Sequence, residues 1–544
     1  MEKEYKKRII YQIYPASFCD SNDDGWGDIN GITSKLDYLK SLGVGIIWLS
    51  PIYASPMADM GYDISDYKKI NPLFGTMEDF DNMLHECSLR DIKVVMDLVM
   101  NHTSDEHYWF KNAISDSTSK YRDYYYIRKG KGKNCKKPPN NWTSIFTGPA
   151  WERIENDPEY YYLHLFSTKQ PDLNYHCEAL VKDMESIMKF YLDKGVYGFR
   201  CDVLHAFWKT TLEDGKFHFS NIGREHYEDQ PGAHALLQRY RKDVLNNYDC
   251  FLVAELASAT VEKAKPYMDN KEVEMFFTFE HQNVDKNQVL QISGKKYKPK
   301  NLLKVLYRYQ NAFKYNCNYL ENHDQKRSIS RFGSKKYNKE SAKALATLLV
   351  TLKGTPFIYQ GEEIGMSNLT YKVKGNDSKD VVGNNVYNLA RKYHLPKGIA
   401  NKIASSVSRD DERCPMQWNS KVNAGFNNGT KPWTFLNTTY KNGVNVDDET
   451  KDENSILNYY KKLIHLRNDI DILQFGEFVE LKSNKNIAKY IRNYKNKKIL
   501  IIINLSSKYI KDIDSYNKKL LLSNYNEKPS EKLPPFYAAI YEIE

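Results

Sequence analysis

The chain has 544 residues, of which 41% are hydrophobic and 27% are charged. This is ordinary globular composition in a chain long enough to bury a large core, and it excludes disordered, collagen-like and coiled-coil proteins. The formal net charge is +10, but basic residues are spread along the whole chain, so we expect no nucleic-acid partner.

The sequence gives no sign of export or membrane insertion. The first ten residues are charged and run directly into an apolar strand, without the apolar core and cleavage site of a signal peptide. No apolar run approaches the roughly 20 residues of a membrane helix. Eight scattered cysteines form no C-x-x-C pair, as in proteins with reduced thiols. We therefore expect a cytoplasmic protein without a membrane partner.

In chain order, short apolar segments alternate with amphipathic, helix-like stretches. The predicted strands are Arg8–Tyr14, Gly45–Pro51, Lys93–Val99, Gly198–Val203, Phe251–Leu256, Glu274–Phe279, Asn316–His323 and Thr355–Gln360. Eight strand-helix units of this kind predict an α/β fold, a closed (β/α)₈ TIM barrel.

Three stretches depart from this alternation. Between His102 and Tyr175, Tyr, Trp, Pro, Gly and Asn dominate, which predicts a subdomain inserted after the third strand. A second irregular stretch follows Met366, up to a helix near Ser455. From about Gln474, short alternating segments predict an antiparallel β domain. The predicted domains are the barrel at 1–102 and 176–473, inserted subdomain B at 103–175, and a C-terminal β-sandwich domain at 474–544.

Charged side chains end several of the predicted barrel strands. The third strand contains Asp97, the fourth Arg200 and Asp202, the fifth Glu255, and the seventh runs into the segment ENHD, which ends at Asp324. TIM barrels carry their active sites at these strand ends. Any one of these acids could be a helix cap, but several acids at the ends of apolar strands together indicate a functional site.

Six ordered motifs resemble the α-amylase superfamily, glycoside hydrolase family 13, in its oligo-1,6-glucosidase and α-glucosidase branch. They are DLVMNH at 97–102, QPDLN at 170–174, GFRCD at 198–202, the acid Glu255, NHD at 322–324 and GTPFIYQGEEIGM at 354–366. The segments MGYDISDY, PPNNW, YYLHLF and PMQW with NAGF resemble the same branch. The resemblance covers nearly the whole chain.

The resemblance implies a retaining glycosidase, which needs one carboxylate nucleophile and one carboxylic acid as proton donor. Asp202 would be the nucleophile, Glu255 the general acid and base, and Asp324 the third acid, which grips sugar hydroxyls. Arg200, two residues before the nucleophile, would keep Asp202 ionised while Glu255 holds its proton.

The resemblance also assigns residues to a blind sugar pocket. Tyr62 would be the stacking platform beneath the first glucose, and Asp63 and Arg413 would clamp its far hydroxyls. His102 and His323 would bond nearer the reacting carbon. Phe166 and Arg200 complete the predicted substrate-binding set.

A separate acidic loop, DSNDDGWGD, carries alternating oxygen side chains around its glycines. Such spacing is typical of a structural Ca²⁺ or Mg²⁺ site. The predicted ligands are Asp20, Asn22, Asp24 and Asp28 with the carbonyl of Trp26. The alternative is an acidic surface turn. We expect no organic cofactor.

The sequence motifs specify the substrate less closely than they specify the reaction mechanism. Val203, directly after the nucleophile, accompanies α-1,6 cleavage in this branch, so we expect an exo-acting α-glucosidase on isomaltose-type oligosaccharides. Trehalose-6-phosphate hydrolase, α-1,4-glucosidase and sucrose hydrolase or isomerase remain alternatives, since Met60, Lys326 and 204–206 depart from the family pattern near the pocket mouth. A non-catalytic sugar-binding or transporter-associated relative is the alternative from another class. The expected partner is a small oligosaccharide, bound by a monomer or weak homo-oligomer.

Overall fold

Eight parallel strands form the central sheet of the computed structural model, which describes residues 3–218, 221–286, 296–374, 377–512, 518–527, 529 and 531–544. The strands run in the order β6-β5-β4-β3-β2-β1-β8-β7, which confirms the predicted α/β barrel. Their bounds are β1 (Ile9–Ile13), β2 (Val44–Leu49), β3 (Lys93–Val99), β4 (Gly198–Asp202), β5 (Phe251–Glu255), β6 (Met275–Phe277), β7 (Cys317–Asn318) and β8 (Thr355–Tyr359).

Side chains close the barrel between β6 and β7, where the described residues form no backbone ladder. The hydroxyl of Tyr319 donates to the carbonyl of Thr278 at 2.7 Å, and its ring packs 5.0 Å from that of Phe277. The strand β7 is far shorter than the predicted Asn316–His323. Past the end of the strand, Asn322 pairs with Gln325 in a tight turn.

Helices connect the strands and surround the sheet. Each amphipathic helix turns one apolar face inward; in the helix between β3 and β4, for example, Leu180, Met184, Ile187 and Tyr191 are buried. The main helices are α1 (Leu36–Leu42), α2 (Met77–Leu89), α3 (Glu178–Asp193), α4 (Pro231–Asp243), α5 (Val261–Asp269), α6 (Pro299–Ala312), α7 (Asn338–Thr351), α8 (Val381–Lys392), α9 (Lys397–Val407) and α10 (Ile456–Asp469). None of the helices in the described ranges is long and apolar enough to cross a membrane.

The insertion after β3 contains a helix, Tyr108–Ser115, and a three-stranded antiparallel sheet. In this sheet Tyr160–Leu163 lies between Ile127–Lys129 and Trp151–Arg153. Aromatic residues of the insertion pack against Val203 and Ala206, which follow β4. The insertion therefore lies over the carboxyl ends of the barrel strands.

The stretch after Met366 is not irregular throughout, and that prediction was wrong: it contains α8 and α9. Both helices carry apolar residues at helical spacing, such as Ile399, Ile403 and Val407 of α9, so the helical period is present in the sequence. They nevertheless bury little: the buried residues are Gly383 and Ala390 of α8, and Ala400 and Ala404 of α9.

The C-terminal region forms the predicted antiparallel sheet. Its strands are β9 (Glu477–Glu480), β10 (Ile487–Tyr494), β11 (Lys497–Asn504), β12 (Lys518–Ser523) and β13 (Ala538–Ile543), in the order β9-β10-β11-β13-β12. Buried Arg492 of β10 donates to the carbonyl of Thr351 in α7 at 2.7 Å. This contact attaches the sheet to the barrel.

Candidate active site

One buried guanidinium gathers three carboxylates at the ends of three adjacent strands. Parallel pairing sets Asp97 of β3 beside Arg200 of β4, and Glu255 ends the next strand. Arg200 Nη1 donates to Asp97 Oδ1 at 2.7 Å and to Asp202 Oδ1 at 2.6 Å, and Nη2 donates to Glu255. The structure therefore brings the predicted nucleophile and proton donor together.

The electrostatics of this cluster differ from the expectation that Arg200 alone would keep Asp202 ionised. Burial raises the pKa of Asp202 well above its usual range, and the guanidinium of Arg200 opposes that rise. The neighbouring carboxyl of Glu255, within hydrogen-bonding reach, raises the pKa of Asp202 further. Two carboxyls this close bind and release protons as a pair.

Tyr62 and His323 form the opposite wall of the cluster. Their rings stack 5.5 Å apart at an interplanar angle of 6°, and the Tyr62 hydroxyl lies 2.6 Å from His323 Nε2. The same hydroxyl donates to Asp97 Oδ2 at 3.1 Å. Tyr62 is thus a buried ring among the acids, and its role as a sugar platform stays a prediction.

Asp324 lies beside His323 and two guanidinium groups. Its Oδ2 is 3.0 Å from His323 Nε2, and its Oδ1 accepts from Arg409 Nη1 at 3.1 Å and Arg413 Nη2 at 3.2 Å. Burial alone would raise the pKa of this carboxyl, but His323, Arg409 and Arg413 hold it well below its usual range. Asp324 is therefore a carboxylate at neutral pH.

Arg409 and Asp59 are pocket residues that the sequence reasoning missed. Besides Asp324, Arg409 Nη2 contacts Asp59 Oδ1 at 3.1 Å and Asp380 Oδ1 at 2.6 Å. It thereby joins three segments from different loops. The available signal was a second acid, four residues before Asp63, in the turn that precedes Tyr62.

Asp63 does not meet Arg413 within the described residues. Instead its carboxylate accepts from Ser55 Oγ at 3.1 Å and from the backbone nitrogens of Ala58 and Asp59 at 2.8 and 2.9 Å. Burial raises the pKa of Asp63 to about 6, against these hydrogen bonds. In this structure the side chain holds the turn that carries Asp59.

His102 and Phe166 line the side of the site that faces the insertion. Their rings lie 5.2 Å apart, and His102 Nε2 is 3.0 Å from the amide nitrogen of Gln170. Burial, with the nearby ammonium of Lys209, lowers the pKa of His102 to about 3. His102 is therefore uncharged and can serve as a neutral hydrogen-bonding group.

The acidic loop is held by its own backbone. Asp20 accepts from the nitrogens of Asp23 at 2.7 Å and Gly25 at 2.8 Å. Asp28 caps the helix Ile29–Thr33 by accepting from Gly31. Trp26 N donates to Asp24, and Asn22 also bonds Asp24.

Across the described part of the chain, no three His, Cys, Asp or Glu side chains are arranged to hold a metal ion. These carboxylates do not form a ready cation cage, and the cation site stays a prediction.

Residues 12–476, which include every residue of the cluster, match the family described as "Alpha amylase, catalytic domain". The chain belongs to the alpha-amylase family. The oligo-1,6-glucosidase of Bacillus cereus is 43% identical over 573 residues and 100% of both chains. The trehalose-6-phosphate hydrolase of Bacillus subtilis is 41% identical, over 92% of this chain and 89% of its own.

Solved structures of the alpha-amylase family resemble the whole chain. The trehalose-6-phosphate hydrolase of Bacillus licheniformis has a TM-score of 0.92 at 38% identity and covers 100% of both chains. The isomaltulose synthase of Klebsiella sp. LX3 has a TM-score of 0.94 at 34% identity, with the same coverage. The predicted family is confirmed, and the protein is a glycosidase of glycoside hydrolase family 13.

Proposed function

We propose that the protein is a retaining, exo-acting α-glucosidase that releases glucose from the non-reducing end of short α-1,6-linked glucosides. The observation that carries this proposal is the pair Asp202 and Glu255 on the single guanidinium of Arg200. Retaining glycosidases need two carboxyls only about 5 to 5.5 Å apart. The full-length likeness to the oligo-1,6-glucosidase of Bacillus cereus supports the choice of substrate class.

The two acids act in two displacements. Asp202 attacks the anomeric carbon and forms a glycosyl ester, while Glu255 gives its proton to the departing glycosidic oxygen. Glu255 then takes a proton from water, the water oxygen bonds to the anomeric carbon, and the ester to Asp202 breaks. Arg200 favours the ionised nucleophile against the effect of burial. Two inversions give net retention.

Asp324 binds rather than reacts. Its carboxylate accepts hydrogen bonds from sugar hydroxyls, which support the distorted ring of the transition state. Arg409 and Arg413, both buried, hold its charge. The Arg409–Asp59 ion pair lies beside Asp324, and we propose that it blocks the site beyond the first glucose, as removal of a terminal glucose requires.

The preference for α-1,6 linkages rests on Val203. This residue directly follows the nucleophile, and its backbone nitrogen lies 3.3 Å from Glu255 Oε2. Its side chain belongs to the apolar cluster of the insertion. Val203 therefore borders both catalytic carboxyls, where it can contact the sugar beyond the scissile bond.

A neutral substrate is favoured over a phosphorylated one by the contacts of Lys326. A phosphate needs cations that are free to bind it. Lys326 Nζ instead donates to Asp411 Oδ2 at 2.6 Å and to the carbonyl of Ser405 at 2.9 Å. Its charge is already balanced by a carboxylate.

A glucose-release assay on isomaltose, maltose, sucrose, trehalose and trehalose 6-phosphate tests the proposal, with Asp202→Asn as the inactive control. We expect turnover of isomaltose that is lost in the variant. Cleavage of trehalose 6-phosphate alone would keep the mechanism and reject the substrate. No cleavage by the unmodified protein would favour a sugar-binding role.

We further propose that the protein is cytoplasmic and a monomer or weak homo-oligomer, with Ca²⁺ or Mg²⁺ in the acidic loop and no organic cofactor. The absence of a disulfide among its eight cysteines supports a reducing location. Cell fractionation tests the location, and light scattering tests the oligomeric state.

A further inference from the structure

A cavity of about 390 Å³ lies between the insertion and α8. The insertion contributes Phe146 and Phe166 to its wall, and α8 contributes Asn385 and Asn388. Asp202, Glu255 and Asp324 are not among the residues that line it. The cavity is therefore a space distinct from the three catalytic acids, although Phe166, a predicted substrate-binding residue, forms part of its wall.

Two aromatic rings lie between this cavity and the catalytic pocket. Phe146 and Phe166 pack edge to face with centroids 5.3 Å apart. On the catalytic side, Phe166 packs against His102 and Phe146 lies against the guanidinium of Arg409. The apolar wall of the cavity is thus shared with residues that contact the catalytic site.

The opposite wall is formed by α8, which contributes polar side chains together with the apolar Val381 and Leu389. Asn385, Asn388 and Lys392 follow one another at helical spacing, so their side chains share a face. Within the described residues, no hydrogen bond is formed by these three side chains. An amide side chain both donates and accepts hydrogen bonds, which matches the mixed character of a sugar hydroxyl.

The charges around the cavity balance. The lining carries one carboxylate, Glu152, and one ammonium, Lys392. His164 also lines the cavity, and burial lowers its pKa, so it is uncharged. The lining therefore offers no excess of positive charge to bind a phosphate and no excess of negative charge to bind a cation. A neutral polar molecule can bind without such an excess.

We infer that this cavity binds a glucosyl ring, with the apolar face of the pyranose on Phe146 and Phe166 and its hydroxyls on Asn385 and Asn388. A volume of 390 Å³ falls within the range of small-molecule sites. The ring could belong to free glucose or to the distal unit of a longer oligosaccharide. The identity of the sugar rests on the proposed function, but the site itself does not.

Binding without turnover tests the site. In the Asp202→Asn protein, equilibrium dialysis with labelled glucose should find two sites per chain. Adding Asn385→Ala and Asn388→Ala should leave one, while Lys402→Ala, on the exposed face of neighbouring α9 and outside the cavity, should leave two. Equal stoichiometry with and without the Asn385→Ala and Asn388→Ala changes would overturn the inference, whether or not the unmodified protein cleaves isomaltose.

Kinetics on the otherwise unmodified chain separate the two sources of the ring. If the distal unit of a substrate binds here, Asn385→Ala with Asn388→Ala lowers kcat/KM for isomaltotriose about tenfold and leaves isomaltose unchanged. If free glucose binds, the two kcat/KM values stay unchanged while the second glucose site disappears. Equal losses on both substrates would overturn the inference, because they would indicate damage to the catalytic pocket. Alanine favours helix, and circular dichroism checks that α8 persists.

Discussion

Arg200 is the residue on which the catalytic cluster depends. Its Nη1 and Nη2 atoms together contact three carboxylates from three strands. Lysine carries the same charge as a single point and cannot reproduce that planar fork. Without the guanidinium, Asp97, Asp202 and Glu255 would be three buried acids without a shared counter-charge.

We therefore expect Arg200→Lys to lower kcat on isomaltose by on the order of 10²–10³-fold. In this variant the three acids lose their relative placement, and Asp202 loses the guanidinium that favours its ionised form. Steady-state kinetics with a thermal unfolding control measure the effect. Arg90→Lys, at a half-buried arginine that pairs with Asp37 and Glu86 at the surface, is the matched control and should leave kcat unchanged. Equal activity of Arg200→Lys and the unmodified protein would contradict the role.

Residue patterns predicted some pocket members and missed others for a physical reason. Asp202 and Glu255 end regular strands, and parallel strands bring their carboxyl ends to one rim, so their meeting follows from the topology. Arg409 and Asp59 come from irregular loops. Their course depends on tertiary contacts, such as the hydrogen bonds of Asp63, that no sequence period encodes.

At the scale of elements, the short helix Tyr108–Ser115 begins at a buried histidine. His107 Nδ1 accepts from the nitrogen of Trp109 at 3.1 Å, and burial lowers the pKa of His107 to about 3. In the unfolded chain a histidine titrates near 6.5. As the pH falls from about 6.5 towards 3, the unfolded chain takes up the proton first, so folding is progressively destabilised.

His107→Asn should therefore make the free energy of unfolding depend less steeply on pH over this window. Asparagine keeps a side-chain acceptor for the helix start but does not titrate. Denaturant unfolding at pH 7, 5.5 and 4.5 measures the difference. His176→Asn, at an exposed residue, serves as the comparison. An unchanged slope in His107→Asn would contradict the assignment.

The acidic loop gives a second prediction at this scale. If Asp20 and Asp28 bind a cation, chelation should lower the melting temperature, and added Ca²⁺ or Mg²⁺ should restore it. Asp24→Asn should weaken the response, since Asp24 is a predicted ligand. Elemental analysis of the purified protein showing no bound metal, together with a chelation-independent melting temperature, would favour the acidic surface turn.

For the whole molecule, the junction of barrel and C-terminal sheet depends on Arg492. Besides Thr351, its guanidinium donates to the carbonyl of Gly476 at 2.7 Å and of Leu473 at 3.2 Å. Burial lowers its pKa to about 9. A buried cation held by carbonyls is costly, but the carbonyls of Thr351 and Gly476 would lose this donor without it, whereas the carbonyl of Leu473 also accepts from Arg467.

Arg492→Met should lower the free energy of unfolding by about 2 to 4 kcal/mol, because the carbonyls of Thr351 and Gly476 lose this donor. Chemical denaturation measures the change. Lys519→Met, at an exposed residue of the same sheet whose ammonium lies 3.8 Å from Glu542, should change the free energy by less than about 1 kcal/mol. Equal stability of both variants would show that the junction does not depend on the guanidinium.

The global architecture could be predicted where buried residues recur at the spacing of a strand or a helix. The eight barrel strands and the C-terminal strands lie in the core, so they must be apolar, and the sequence shows them as apolar segments. Helices α8 and α9 escaped prediction although their apolar residues recur at helical spacing, because Gly, Asn and Ser residues between those positions are typical of loops. The two-residue strand β7 was overestimated because apolar residues continue past it as side chains that close the barrel.

Val203 combines two properties that seldom occur together. It is β-branched, yet its φ of 45° lies in the left-handed region, where such side chains are strained. Glycine there would relax the backbone but remove the apolar wall beside the nucleophile. At this position, conformational ease and the proposed contact with substrate therefore favour different residues. If Val203 sets the linkage preference as proposed, variants selected for heat resistance alone would be expected to lose that preference first at this position.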